Sequence, residues 1–287
     1  VRPAAWLFLV TWHLYAADGK VDPTFLRRHV PEIAPVPSEF TSEGCRFKPI
    51  FGSGDRDARQ TKGIARFSEL ELDPGSGCRT TAQEREEHIY LVLDGSGALR
   101  YGDRQLPVRR FDYVYIPPGT PHGLTCGGAA PCRALLMGYR VPQDMPLTIP
   151  PTPLQANLEE VPLQVVGGHP PSTLYRLLLG DTRSTRDRIA AGHVVTSLFL
   201  MEFAPGGTNQ PHHHDREEEI YYLMSGKGEM VAGGGMDGYE GRYPAKAGDA
   251  YFIRLNATVG FYASTDPGAE KARILAIRSR YPFGALR

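Results

Sequence analysis

The feature that most narrows the fold of this chain is an internal repeat. Gly75 and Gly206, His88 and Glu219, and Gly95 and Gly226 are each 131 residues apart. Past the last of these glycines the spacing widens, and Pro107 to Pro244 and Asp112 to Asp249 both span 137. The added residues fall in the glycine-rich stretch Gly233–Gly241, where a hairpin absorbs an insertion at little cost. Each copy repeats one order of short apolar runs and turns. The first reads Ile64–Leu72, Pro74-Gly75, His88–Leu93, Asp94-Gly95, Tyr113–Ile116 and Ala134–Tyr139. The second reads Val194–Phe203, Pro205-Gly206, Ile220–Met224, Ser225-Gly226, Ala250–Leu255 and Arg273–Ile277. Short apolar runs bounded by Gly and Pro are strand grammar. The expected fold class is therefore all-β, as two tandem antiparallel units. The proline-rich stretch Val141–Leu154 separates them, giving an N-terminal unit over 18–142 and a C-terminal unit over 143–287. Residues 20–60 read as an irregular lead-in arm to the first.

Lysine plus arginine and aspartate plus glutamate number 32 each, so no basic excess points to nucleic acid or to an anionic membrane. Residues 1–17 resemble a signal peptide: Arg2, an apolar core over Ala4–Val10, and the small pair Ala16-Ala17. That stretch is too short for a membrane span. A secreted or periplasmic location, with no membrane attachment of the mature form, is the expectation; without cleavage the protein is cytoplasmic. The four cysteines, Cys45, Cys78, Cys126 and Cys132, contain no CxxC pair. Their even number fits two disulfides in an exported protein and equally fits buried thiols, with pairing left open.

Chemistry concentrates in Pro205–Met230, where His212-His213-His214 runs into Glu217-Glu218-Glu219 and an apolar strand. Side chains two apart in a strand share a face, so His212 and His214 look one way and His213 the other. Two imidazoles and a carboxylate form a set that borderline divalent metals bind well.

These residues resemble the cupin superfamily, whose first motif is a glycine, H-x-H, an acidic residue and a strand closed by a glycine. His212, His214 and Glu219, framed by Gly206 and Gly226, match it, and Ile116-Pro117-Pro118-Gly119-Thr120-Pro121-His122 matches the second motif. The resemblance implies a bicupin of two jelly-roll β-barrels, with a metal held inside a barrel. It selects Glu219 over Glu217 and Glu218, because Glu219 lies seven residues before Gly226. In the second half, Val259 stands where the family's fourth ligand belongs and cannot bind a metal. In the first half, Thr81 and Gln83 take the two histidine positions, His88 the glutamate position, and His122 the second-motif place. Gln83, His88 and His122 thus mark a degenerate second site, either weakly metal-binding or a pair of satisfied interior histidines. The expected cofactor is one divalent transition metal (Mn, Fe, Zn or Ni) on His212, His214 and Glu219.

Two histidines and one carboxylate with open positions match non-haem Fe(II) oxygenases, so an oxygenase acting on a small organic substrate is the leading expectation. The layout, with its Tyr139-Arg140-Val141-Pro142 exit from the first half, is also similar to (S)-ureidoglycine aminohydrolases, which implies a metal-dependent hydrolase or lyase. A non-catalytic binding or storage protein is the third class. Arg254 is the candidate to anchor a substrate carboxylate, and Tyr221, Tyr222, Tyr251 and Tyr262 are candidates for pocket hydroxyls. The expected partners are a small molecule and further copies of the chain.

Overall fold

The computed structural model describes residues 24–235 and 240–280; the expected leader over 1–17 lies outside them. Among the described residues twenty strands follow one another. The first half contains β1 (Phe25–His29), β2 (Cys45–Gly52), β3 (Ile64–Leu72), β4 (Glu86–Asp94), β5 (Ser96–Tyr101), β6 (Arg104–Arg109), β7 (Asp112–Ile116), β8 (His122–Cys126) and β9 (Cys132–Arg140). Then come β10 (Leu154–Asn157), β11 (Thr173–Asp181), β12 (Ile189–Gly192), β13 (Val195–Phe203), β14 (Thr208–His212) and β15 (Glu217–Ser225). The last described strands are β16 (Lys227–Gly233), β17 (Glu240–Lys246), β18 (Asp249–Ile253), β19 (Thr258–Ala263) and β20 (Ala272–Arg280). Short 3-10 turns are the only helices among the described residues, and none is long and apolar enough to cross a membrane.

Each half folds a large sheet over a small one, the double-sheet jelly roll. The first pairs β10-β7-β4-β9-β3-β2 with β6-β5-β8, and the second pairs β1-β18-β15-β20-β13-β11-β12 with β14-β19-β16-β17. Pairing is antiparallel throughout except between β11 and β12, which run parallel, a departure from the wholly antiparallel expectation. The repeat is visible in register: Leu99 faces Leu106 as Met230 faces Tyr243.

Strand alternation divides the apolar residues among three cores. Tyr90 and Val92 of β4 face the first barrel's interior, while Ile89 and Leu91 face outward. Tyr221 and Leu223 of β15 face the second interior, while Ile220 and Tyr222 face outward. The outward sets meet in one central core, because the large sheets pack back to back. Strands buried on both faces read as continuous apolar runs, which is why β4 and β15 look so uniform in sequence.

The lead-in is more ordered than its composition suggests. β1 pairs along β18 of the second half, Phe25 opposite Ile253 through His29 opposite Asp249, anchored by Arg27 and His29 on the Asp249 carboxylate at 2.9 and 2.8 Å. In return β10 pairs along β7 of the first half. The halves therefore exchange edge strands.

All four cysteines are bonded, Cys45 to Cys78 and Cys126 to Cys132, across 33 and 6 residues. Closing the longer loop is worth about 3–4 kcal/mol by chain entropy and the shorter about 2. The double change Cys45→Ser, Cys78→Ser is expected to destabilise the first barrel by an amount of that order. Denaturant unfolding with and without reductant measures it, and identical midpoints would refute it.

Candidate metal centre

His212 closes β14, the chain turns, and β15 opens at Glu217. The turn is pinned where the Asn256 N–H donates to the His214 carbonyl at 2.8 Å. His213 points into solvent, as expected, although it and His214 lie just past the end of β14. Donor atoms of His212, His214 and Glu219 lie within 4.8 Å of one another, the one such set among the described residues. Alternation also separates the three glutamates. Glu219 faces the barrel interior with 1% exposure, while Glu218 turns toward the first half and accepts the Gly63 N–H at 3.0 Å. Burial pushes Glu218 up to about 7 despite that bond. Glu217 shares the inner face but is held by the Thr196 hydroxyl and by Arg278 at 3.5 Å.

The donor set suits a cation. His214 Nε2 and Glu219 Oε2 stand 3.4 Å apart, and both are buried without a hydrogen-bond partner. Buried polar atoms normally find partners, so two facing lone-pair groups left open fit an ion between them. At His212, Nδ1–H donates to the Gln210 carbonyl at 2.8 Å, which leaves Nε2 with its lone pair free for a metal.

These donors line a cavity of ≈ 110 Å³. Its polar wall carries His169, Tyr175, Asn209, Tyr221 and Arg278, and its apolar wall includes Leu177, Phe199 and Met201. Asn209 Nδ2 donates to the Tyr221 hydroxyl at 2.7 Å. Burial, with the Glu219 charge adding to it, raises both the Tyr175 and Tyr221 phenols, so they stay protonated. Burial and the neighbouring His212 lower His169. The Arg278 guanidinium lies 5.3 Å over the Phe199 ring and 3.8 Å from Glu219.

Arg254, the expected anchor, does not line this cavity; the arginines that do are Arg186 and Arg278. The physical reason is its place at the end of β18, where its N–H bonds Thr24 and its charge acts on Glu218, on the face turned away from Glu219. Of the four candidate tyrosines only Tyr221 lines the cavity. Tyr222 belongs to the central core, Tyr251 packs in the barrel interior away from the cavity, and Tyr262 lies beneath Arg242 on the outer side. Val259 is fully buried and directly opposite His212 in the β14–β19 pair.

In the first barrel Gln83, His88 and His122 do come together. His122 contacts Gln83 Oε1 at 3.2 Å and the Tyr90 hydroxyl at 2.8 Å, and the two imidazoles are 4.7 Å apart. Phe40, itself fully buried, covers both rings at 6.4 and 5.8 Å. Arg66 lies over Phe40 and pairs with Glu39 and Glu86, while Glu86 also reaches His88 Nε2 at 3.3 Å. Burial, reinforced by the Arg66 charge, lowers both imidazoles. The one carboxylate that reaches this pair, Glu86, is engaged by Arg66 at 2.8 Å, and both imidazoles stay neutral.

Although burial pushes Glu86 up, the His88 contact and Arg66 hold its carboxyl at about 2. A depressed carboxyl stabilises the fold fully above its unfolded pKa, near 4.5, and the contribution fades as pH falls toward 2. Glu86→Gln is therefore expected to cost up to about 3 kcal/mol at pH 7 and to flatten the acid limb between these values. Urea midpoints at several pH values test this, and an unchanged acid limb would refute it.

His169, Tyr175, Asn209 and Arg278 escaped the sequence reading. His169 sits in Val166-Gly167-Gly168-His169-Pro170-Pro171, which carries only a loop signal. Asn209 falls at the repeat position of Cys78, 131 residues earlier, whereas Tyr175 corresponds to Phe47 only at an offset of 128 that the bridges Val36 to Phe47 and Gln164 to Tyr175 reveal.

The cupin domain family model matches residues 68–138 and 199–277. Among curated proteins, an uncharacterized protein of Methanocaldococcus jannaschii is 36% identical over 53 residues, 18% of this chain and 42% of that protein's length. Among solved structures, protein Ylba from E. coli superposes with a TM-score of 0.67 at 17% identity, covering 92% of this chain and 94% of that one. The oxalate decarboxylase of Lactobacillus farciminis, solved as a formate complex, gives 0.67 at 14%, covering 93% and 88%. The oxalate decarboxylase of Bacillus subtilis gives 0.63 at 15%, covering 89% and 77%. At these identities the likeness is one of fold. Two matched segments, one in each barrel, and a shared architecture over nearly the whole chain place it plainly: the protein belongs to the cupin domain family, with the domain present twice.

Proposed function

We propose that the second barrel binds one divalent transition metal through His212, His214 and Glu219 and acts as a metal-dependent enzyme of the oxygenase type on a small organic substrate. The observation that carries this reading is the pair of buried, unpartnered atoms His214 Nε2 and Glu219 Oε2, facing each other at 3.4 Å. When bound, the ion supplies Lewis acidity and, if it is iron, redox chemistry. The chain's own residues orient and enclose. Tyr175 and Tyr221 offer phenolic protons to an oxygen of the substrate, and Arg278 restrains Glu217 and Glu219. Phe199, Leu177 and Met201 keep water from the apolar side. A cavity of ≈ 110 Å³ suits a substrate of only a few heavy atoms.

His169 favours a second reading, a hydrolase or lyase of the aminohydrolase type. A neutral imidazole on the cavity wall can hold or release a proton. Oxygen uptake by iron-loaded protein with small organic acids is the expected result under the first reading. Ammonia release from ureido compounds by manganese-loaded protein would transfer the assignment to the second, and binding without turnover would leave a carrier. The two disulfides support an exported protein, secreted or periplasmic, since such bonds persist in oxidising compartments.

A further inference from the structure

The second barrel lacks the donor that would complete its site from the wall opposite His212, because Val259 is there, apolar and fully buried. A different element brings an imidazole to the same cavity. The His169 ring stands 6.5 Å from the His212 ring and 5.0 Å from that of Tyr175. Two imidazoles on one ion, with nitrogens about 2.1 Å from it, place their ring centres at most about 6.4 Å apart. His212 and His214, at 5.0 Å, fall well inside that span, and His169, at 6.5 Å, lies just beyond it, so a small approach is needed.

The same segment exists in the first barrel, which shows what the position is for. The bridges Val36 to Phe47 and Gln164 to Tyr175 are equivalent, each member displaced by 128 residues. Between them the first segment delivers Phe40, which covers His88 and His122. The second delivers His169 over His212. The first segment is tied down by the Cys45–Cys78 disulfide. The second carries Gly167 and Gly168, both exposed, in a turn closed by the His169 N–H on the Val166 carbonyl at 3.1 Å, and an added Cβ at either would meet nothing within 4 Å; glycine at both positions widens the conformations open to that turn.

Resting on the metal reading above, we propose that His169 is the fourth protein donor of the centre, supplied by the segment ahead of β11 in place of Val259. One barrel closes its mouth with a phenyl ring and the other with a ligand. The small shift that brings His169 inside the imidazole span is taken up at Gly167-Gly168.

The test uses the full chain stripped of metal and titrated with Co²⁺, whose visible absorption reports its ligands. Wild type, His169→Ala, His169→Phe and His212→Ala are compared. The phenylalanine variant copies the first barrel's plug and guards against a folding defect in the alanine variant. The expected result is at least about tenfold weaker Co²⁺ binding in both His169 variants, with an altered spectrum, and loss of binding in His212→Ala. An unchanged spectrum and affinity in the His169 variants, with binding lost in His212→Ala, overturns the fourth donor and spares the three-donor site. Absence of Co²⁺ binding in wild type overturns the metal reading itself.

Discussion

Replacing His212 by alanine is expected to take the purified chain from about one bound transition metal to almost none. The three donors act as a unit, and His212 is the one whose tautomer is set from outside, by the Gln210 carbonyl at 2.8 Å. Its loss leaves His214 and Glu219 as the only donors already in place, with His169 reaching the ion only through a shift of its loop, too little to retain it through purification. His122→Ala is expected to leave the metal content intact, because Arg66 and Phe40 close the first barrel around a neutral histidine pair. Elemental analysis of untagged protein decides between them. Unchanged metal in the His212 variant, or a proportional loss in the His122 variant, would move the site or abolish it.

The second large effect lies at the junction of the barrels. Glu87 is fully buried and accepts the backbone N–H groups of His193, Val194 and Val195 at 2.7, 2.9 and 2.8 Å, together with the Tyr115 hydroxyl at 2.8 Å. Burial and the Glu87 charge raise the Tyr115 phenol and keep it a donor. Truncating Glu87 to alanine strands four donors away from water, at about 1–3 kcal/mol each before relaxation. A net loss of about 4 kcal/mol or more is expected, with a fall in melting temperature on the order of 10 °C. Glu218, one repeat later, accepts the Gly63 and Lys62 N–H groups at 3.0 and 3.4 Å. With fewer and longer bonds, Glu218→Ala should cost less than half as much. Calorimetry that finds Glu87→Ala within about 1 kcal/mol of wild type would refute the account.

Much of this was legible because it is local. The repeat, the shared face of His212 and His214, the outward turn of His213 and the apolar Val259 all follow from spacing along one strand or one offset. What escaped depends on which buried face a strand turns to which neighbour. Tyr221 and Tyr222 are both buried and stand side by side in one apolar run, yet one lines the cavity and the other packs between barrels. Back-to-back sheets remove the polar stripe that normally tells inside from outside. Arg254 was misplaced for a related reason, since counting along a motif does not say which side of β18 its side chain takes. Phe25–His29 reads as polar lead-in because its arginines satisfy carboxylates elsewhere, Arg27 on Asp249 and Arg28 on Asp55 and Asp57. His169 reaches the site through a loop, where periodicity carries no information.

The exchange of β1 and β10 makes the duplication inseparable. A fragment beginning at residue 143 would present β18 as a bare edge, with unpaired backbone groups open to another chain. It would also carry β10 with no strand to pair with. During synthesis the strand that finishes the second barrel is made first and must wait for its partner. Because each unit borrows a strand from the other, the first barrel stays necessary as scaffold for the second, whatever its own interior binds.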